Sequence, residues 1–190
     1  MSLVFIRHAE TDLAGTFCGH SDPPINLIGQ AQIAEMISRL RAETFDAIYS
    51  SDLRRAVETA EPLARAFALP VIATYRLREI HFGDWEGLTW TEIEQRDPIY
   101  ARRWIEAFPT LPAPNGESFA VFERRILDAV NHLCCLSQDK RIAVVTHAGV
   151  MRVVLQRLLG YSEDHARDLT KLYCSSFVCS GVIAAAEVTQ

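Results

Sequence analysis

The sequence predicts an α/β fold: three layers, α/β/α, around a mainly parallel sheet, with a small inserted helical lobe. Three observations carry this. Short apolar runs of strand length recur at residues 3–6, 45–49, 69–73 and 141–146. Stretches with apolar residues at helical spacing lie between most of them, and strands that alternate with helices pair in parallel because each helix returns the chain across the sheet. Residues 80–115 interrupt the alternation with a segment rich in Trp, Pro and charge.

Residues 3–6 read as a buried strand that runs straight into Arg7 and His8. Gly15, Gly19 and Pro23-Pro24 mark residues 11–24 as loop. Ala31, Ile33, Ala34, Ile37 and Leu40 repeat at helical spacing and predict a helix over 29–40. Residues 45–49 form a second buried strand, after which Ser50, Ser51 and Asp52 offer caps for a helix through Ala56, Ala60 and Leu63. Residues 69–73 form a third strand. Within 80–115, helical patches fall at 90–95 and 99–107. Phe82, Trp85, Trp90, Tyr100, Trp104 and Phe108 need something to pack on, so the segment reads as a lobe and not a linker. Phe119, Phe122, Ile126, Val130 and Leu133 predict a long helix from 118 to about 136. Residues 141–146 are the clearest buried strand and end at His147-Ala148-Gly149; a helix over 150–159 stops at Gly160. Residues 175–188 supply one or two further strands. With no repeat or low-complexity segment, residues 1–190 read as a single domain.

Composition narrows the partners. Nineteen basic against twenty-four acidic residues leave a net charge of -5, which argues against nucleic acid, whose binders carry a basic surplus. Apolar runs of only a few residues argue against a membrane span. The first six residues lack a basic region and meet Arg7 at once, unlike a signal peptide. Five cysteines without a repeating framework, two of them adjacent (Cys134, Cys135), predict reduced thiols in a cytoplasmic protein.

Ligands of an open α/β sheet bind beyond the carboxyl ends of its strands, and the polar residues gather there. The first strand ends at Arg7-His8, the second at Ser50 with Arg54-Arg55 beyond, and the long strand at His147; Arg78-Glu79 opens the lobe. Arginines so placed point to phosphate or carboxylate, which the planar guanidinium meets with paired charge-assisted bonds. Singly, each residue has a plainer reading: His8 or His147 as a hydrogen-bonded histidine, Arg54 or Arg55 as the partner of Asp52 or Glu58. Their joint placement outweighs this. Zinc ligand spacings, a nucleotide-binding loop, a dinucleotide fingerprint and a nucleophile elbow are all absent. Cys135 and Arg141 have the spacing of a cysteine phosphatase loop, but the residues between them lack glycine and precede the strand instead of following it.

Arg7-His8-Ala9-Glu10-Thr11 resembles the first signature of the histidine phosphatase superfamily, in its phosphoglycerate mutase-like branch. Ser50-Ser51-Asp52-Leu53-Arg54-Arg55-Ala56 with Thr59-Ala60 resembles its second arginine motif. Leu77-Arg78-Glu79 with Phe82-Gly83-Asp84-Trp85-Glu86-Gly87 resembles its acid motif, and Thr146-His147-Ala148-Gly149-Val150 its second histidine motif. The resemblance implies a phosphomonoester hydrolase with a phosphohistidine intermediate and no metal or cofactor. It makes His8 the nucleophile and Glu79 the acid and base. Arg7, Arg55 and His147 hold the phosphoryl oxygens, and the partner is a small-molecule phosphate ester. The same resemblance puts Cys18 and Gly19 on the loop that meets the substrate phosphate, with Ala148 beside it. Ala9 and Ala148 stand where relatives carry Gly, which predicts strain if either position needs a positive φ. Ala14 stands where relatives carry Asn, which predicts one lost phosphate contact.

The modest lobe is unlike the longer insert of the mutases. Phe82-Gly83-Asp84-Trp85-Glu86 with Asn115-Gly116-Glu117-Ser118-Phe119 is most similar to alpha-ribazole phosphatases of cobalamin assembly. Phosphosugar phosphatases share much of the pattern. A mutase-like enzyme and a non-catalytic phosphate-binding relative are the other readings. Trp85, Trp90 and Trp104 are either shelves for a flat base or core of the lobe.

Overall fold

The computed structural model describes residues 2–137 and 139–180. Its sheet has five strands in the order β3-β2-β4-β1-β5: β1 (Ser2–Arg7), β2 (Ala47–Ser51), β3 (Val71–Thr74), β4 (Arg141–Thr146) and β5 (Ser176–Ser180). The first four run parallel, and β5 closes one edge antiparallel to β1. The rest of the further strands expected over 175–188 lies outside the described residues.

Side chains alternate across each strand, so one strand serves two cores. Leu3 and Phe5 of β1, with Ile142 and Val144 of β4, face α5 (Phe119–Leu136) and α6 (Ala148–Arg157). Val4, Ile6, Ala143 and Val145 face α1 (Leu27–Leu40) and α2 (Arg54–Ala66). That sidedness explains why both strands read as continuous apolar runs. The layers are the predicted α/β/α.

The lobe holds α3 (Trp90–Arg96) and α4 (Pro98–Ala107), close to the expected patches. Thr89 and Glu92 form a reciprocal capping box on α3, and Pro98 sits at the start of α4 after the Asp97 cap. Trp85 packs at its centre, 5.2 Å ring to ring from Trp104 and 6.1 Å from Tyr100. Phe17, from the loop after β1, inserts between Phe82, Trp85, Trp90 and Trp104. Phe17 thus helps tie the lobe to the loop that follows β1.

Three expectations change. Ser50, Ser51 and Asp52 do not cap α2: the cap is Leu53, without a side-chain bond, and the Arg54 N–H is met by Asp22 at 2.6 Å. Ser51 and Asp52 are used elsewhere, by His147 and Arg78. The helix after β4 begins at Ala148 instead of 150, directly behind His147. A short helix absent from the sequence reading, α7 (Glu163–Leu169), starts at the Ser162 cap and buries only Ala166. No helix among the described residues is long and apolar enough to cross a membrane.

Candidate active site

β1 and β4 are adjacent and parallel, with Arg7 opposite Thr146. The next residue on each strand is a histidine, and the His8 N–H still donates to the Thr146 carbonyl at 2.8 Å. The two imidazoles lie 5.0 Å apart, centroid to centroid. Arg55 enters from the first turn of α2, and Glu79 from the segment after β3.

The hydrogen bonds of each ring fix its tautomer. His8 Nδ1 lies 2.7 Å from the Ala9 carbonyl, which only accepts, so Nδ1 carries the proton. Nε2 keeps its lone pair and accepts from Arg55 Nε at 3.3 Å. His147 is the mirror case. Its Nδ1 lies 3.2 Å from Arg55 Nη2, which only donates, so Nε2–H donates to Ser51 Oγ at 2.8 Å. Burial, then the charge of Arg55, holds both imidazoles well below their ordinary pKa of 6.5. Both imidazoles are therefore neutral at pH 7.

Arg55 is wholly buried. Nη1 donates to the Ser21 carbonyl at 2.6 Å, and Nη2 to those of Gly19 at 2.7 Å and Cys18 at 3.3 Å. Among the described residues no carboxylate pairs with it. The neighbouring arginines are neutralised instead. Arg54 pairs with Glu58 at 2.6 Å, and Arg78 grips both oxygens of Asp52 at 2.7 Å. This sets Arg55, which the motif resemblance had singled out, apart from its neighbours.

Arg7 Nη1 donates to the carbonyls of Thr170 and Lys171 at 2.9 and 2.6 Å, and its guanidinium lies 4.0 Å over the Tyr173 ring. Its Nε is buried without a partner, an open donor beside the histidines. Glu79 is held by two backbone N–H groups, from Gly149 at 2.8 Å and Ile80 at 3.1 Å. A Cβ on Gly149 would collide with Glu79 Oε1 and come within 2.9 Å of Cδ. A glycine is therefore required there for the carboxylate to reach the helix N-terminus.

A cavity of about 410 Å³ opens above these groups. Arg7, His8, Thr11, Cys18, Glu79 and Ala148 line its polar end, and Phe17, Phe82, Trp90 and Tyr173 its aromatic side. Trp90 reaches this wall, whereas Trp85 and Trp104 belong to the lobe core. Burial pushes the Cys18 thiol up, against use as a nucleophile. The backbone N–H of Gly19 is already taken by Glu86, so Gly19 and Cys18 meet Arg55 through their carbonyls. Neither Ala9 nor Ala148 has a positive φ, so the extra methyl groups bring no backbone strain. Ala9 fills the core beside α1 and α2, and its N–H donates to Thr59 Oγ1 at 2.9 Å. Ala14 is exposed, while Thr11 and Thr16 line the cavity in its neighbourhood. Tyr173, Ser51, Glu86 and Thr59 escaped the sequence reading as functional positions. Only Tyr173 is wholly outside the motif segments; the others lay within them without a role. Among the described residues no three His, Cys, Asp or Glu side chains form a metal-binding group.

The chain is similar to proteins of known class. It is 32% identical over 195 residues to a bifunctional protein of Mycobacterium tuberculosis, covering 99% of this chain and 53% of that one; it thus spans about half the length of that relative. It is 34% identical over 161 residues to a metal-independent phosphoserine phosphatase of Arabidopsis thaliana, covering 82% of this chain and 68% of the other. The solved alpha-ribazole phosphatase of Shigella flexneri superimposes with a TM-score of 0.84 at 28% identity, over 94% of this chain and 89% of that one. The sequence profile of the histidine phosphatase superfamily (branch 1) matches residues 3–180. With Arg7, His8 and Glu79 lining one cavity, Arg55 and His147 buried and bonded to each other beside His8, and that profile matched over residues 3–180, the chain belongs to the histidine phosphatase superfamily.

Proposed function

We propose that the protein hydrolyses phosphomonoesters through a phosphohistidine at His8. The observation that carries this is the unprotonated Nε2 of His8. Its ring is locked by the Ala9 carbonyl, its lone pair faces Arg55 Nε, and a neutral imidazole is the nucleophilic form. Nε2 attacks phosphorus while the bond to the ester oxygen breaks, and Glu79 gives that oxygen its proton. Glu79, now a carboxylate, takes a proton from water as the hydroxide adds to phosphorus and the bond to Nε2 breaks. His8 and Glu79 return to their starting states.

Arg7 and Arg55 bring two guanidinium charges, which match the two charges of the phosphoryl dianion. Burial first and the Arg55 charge second disfavour protonation of His147; the arriving dianion offsets the second, so that a proton taken from solvent at Nδ1 is donated to a phosphoryl oxygen. Cys18 and Ala148 bound the same oxygens at the cavity wall.

For substrate, the lining favours alpha-ribazole 5'-phosphate. Among the described residues Arg7 is the one arginine or lysine in the wall, and this reading assigns it to the phosphoryl group. A second anionic group, such as the carboxylate of phosphoserine or phosphoglycerate, would be desolvated there without a partner. A riboside bearing a flat base brings no such charge and meets Phe17, Phe82 and Trp90. A phosphosugar is the second reading, supported by the Thr11 and Thr16 side chains in the wall.

The test is phosphate release from alpha-ribazole 5'-phosphate, phosphosugars, phosphoserine and 3-phosphoglycerate without added metal, beside His8→Ala. We expect the riboside to be preferred, with an acid-labile phosphoenzyme that the variant lacks. Preference for phosphosugars keeps the mechanism and replaces the substrate. Turnover that survives His8→Ala removes the mechanism, and phosphate binding without turnover by the unaltered protein makes it a binding relative.

A further inference from the structure

A wholly buried guanidinium needs compensation, and among the described residues no carboxylate is in ion-pair contact with Arg55. The compensation lies one peptide away. Glu86 accepts four backbone N–H groups from two separate segments. Oε1 takes those of His20 at 2.7 Å and Phe82 at 3.0 Å; Oε2 takes those of Ser21 at 2.9 Å and Gly19 at 3.0 Å. The opposite ends of the same peptide groups point at Arg55. The peptide between Cys18 and Gly19 gives its N–H to Glu86 and its carbonyl to Arg55 Nη2. The peptide between Gly19 and His20 does the same. Each is thus aligned between an anion and a cation, with the positive end of its dipole on the carboxylate and its negative end on the guanidinium.

From this geometry we infer that Glu86 is the positioning residue for Arg55: through the 18–21 loop it aims the guanidinium and supplies its counter-charge from a distance. A carboxylate in direct contact would stabilise Arg55 equally well but compete with the phosphoryl group for its donors. Relayed through peptides, the same charge leaves the guanidinium oriented while no anion occupies the phosphoryl position. The loop is built for this separation. A Cβ at Gly19 would collide with the Ile80 carbonyl and stand 2.5 Å from Glu86 Oε1, so the close approach needs glycine. Phe17 is pinned next to it by reciprocal bonds, its N–H to the Leu88 carbonyl and its carbonyl from the Gly87 N–H. Desolvation pushes the Glu86 carboxyl up, but the backbone N–H groups of Phe82, Ser21 and His20, with the Ser21 side chain, together outweigh it and hold the carboxyl below its ordinary range, so it is charged whenever the loop is in place.

The inference rests on the assignment of Arg55 to the phosphoryl site, and a double-mutant cycle separates the two. Inorganic phosphate affinity is measured by calorimetry for the unaltered protein, Glu86→Gln, Arg55→Ala and the double variant, with thermal melting as a check on folding. The isosteric amide keeps the shape but turns N–H donors toward two of the four N–H groups. Glu86→Gln should weaken phosphate binding about tenfold or more and change nothing further once Arg55 is alanine. Equal losses in both backgrounds, or no loss in either, overturn the inference. If Arg55→Ala itself leaves affinity unchanged, the phosphoryl-site reading fails first. Should the amide variant not fold, Glu86→Asp takes its place in the cycle: its shorter side chain keeps the charge but spans only one of the two segments.

Discussion

The ends of β1 and β4 start from the same place and finish as different chemistry. Both strands are parallel, buried and in register, and each is followed at once by a histidine. After β1 the chain wanders through a loop before α1, and Ala9 turns its carbonyl onto His8 Nδ1. After β4 the chain enters α6 directly, His147 becomes the N-cap, and Ser51 from β2 takes its Nε2. One ring therefore presents a lone pair at Nε2, the other at Nδ1, with Arg55 bonded to both. Burial is shared by the two and decides neither; the atom opposite each ring decides. The α6 side adds something the β1 side lacks, a free helix N-terminus whose Gly149 N–H holds Glu79.

Deleting one ring at a time should show the largest contrast. His8→Ala is expected to abolish the phosphoenzyme, whereas His147→Ala should still form it, about 10²-fold more slowly, as for loss of one donor to a developing charge. Rapid-quench trapping on a substrate with a good leaving group reads both. If both variants lose the phosphoenzyme entirely, the two strand ends are not distinct in function. A smaller effect follows from the crowded side of α6. Gly149→Ala forces the Glu79 carboxylate away and should lower kcat by roughly tenfold to 10²-fold while thermal stability changes little. A variant with unchanged kcat would show that Glu79 is not held there for catalysis.

The smallest effect is shared by the two ends. Each imidazole has a folded pKa below the ordinary 6.5, so the unfolded chain binds these protons first. Stability is therefore full above pH 6.5 and falls as the pH drops from there toward the folded values. Urea unfolding at pH 7.5, 6.5 and 5.5 should show that decline, with a shallower slope in His8→Ala or His147→Ala. Equal slopes in all three proteins would mean that other groups control acid stability.

Local pattern carried much of the fold. β4 was readable to the residue because five apolar or β-branched positions sit between the charged Arg141 and His147. α5 was readable from its Ser118 cap and its stripe of Phe122, Ile126, Val130 and Leu133. The short, mostly exposed α7 was not, since Ala166 alone is too little apolar signal to mark a helix. The second strand was placed early, at 45–49, because Phe45 is apolar; it packs under the sheet against Phe67 instead of joining β2.

What the sequence determined by itself was the set of candidate side chains that the fold then gathers: His8, Arg7, Arg55, Glu79 and His147 stand in motifs whose order and spacing are local properties. What only the tertiary structure decided was what each does with its hydrogen bonds. Ser51 meets His147 across 96 positions of chain, Glu86 meets the 19–21 loop across 65 to 67, and Thr59 meets Ala9 across 50. Helical periodicity reports on neighbours three and four residues away. A ring tautomer or a relayed charge depends on which distant atom the sheet order brings opposite, and no pattern of neighbours contains that.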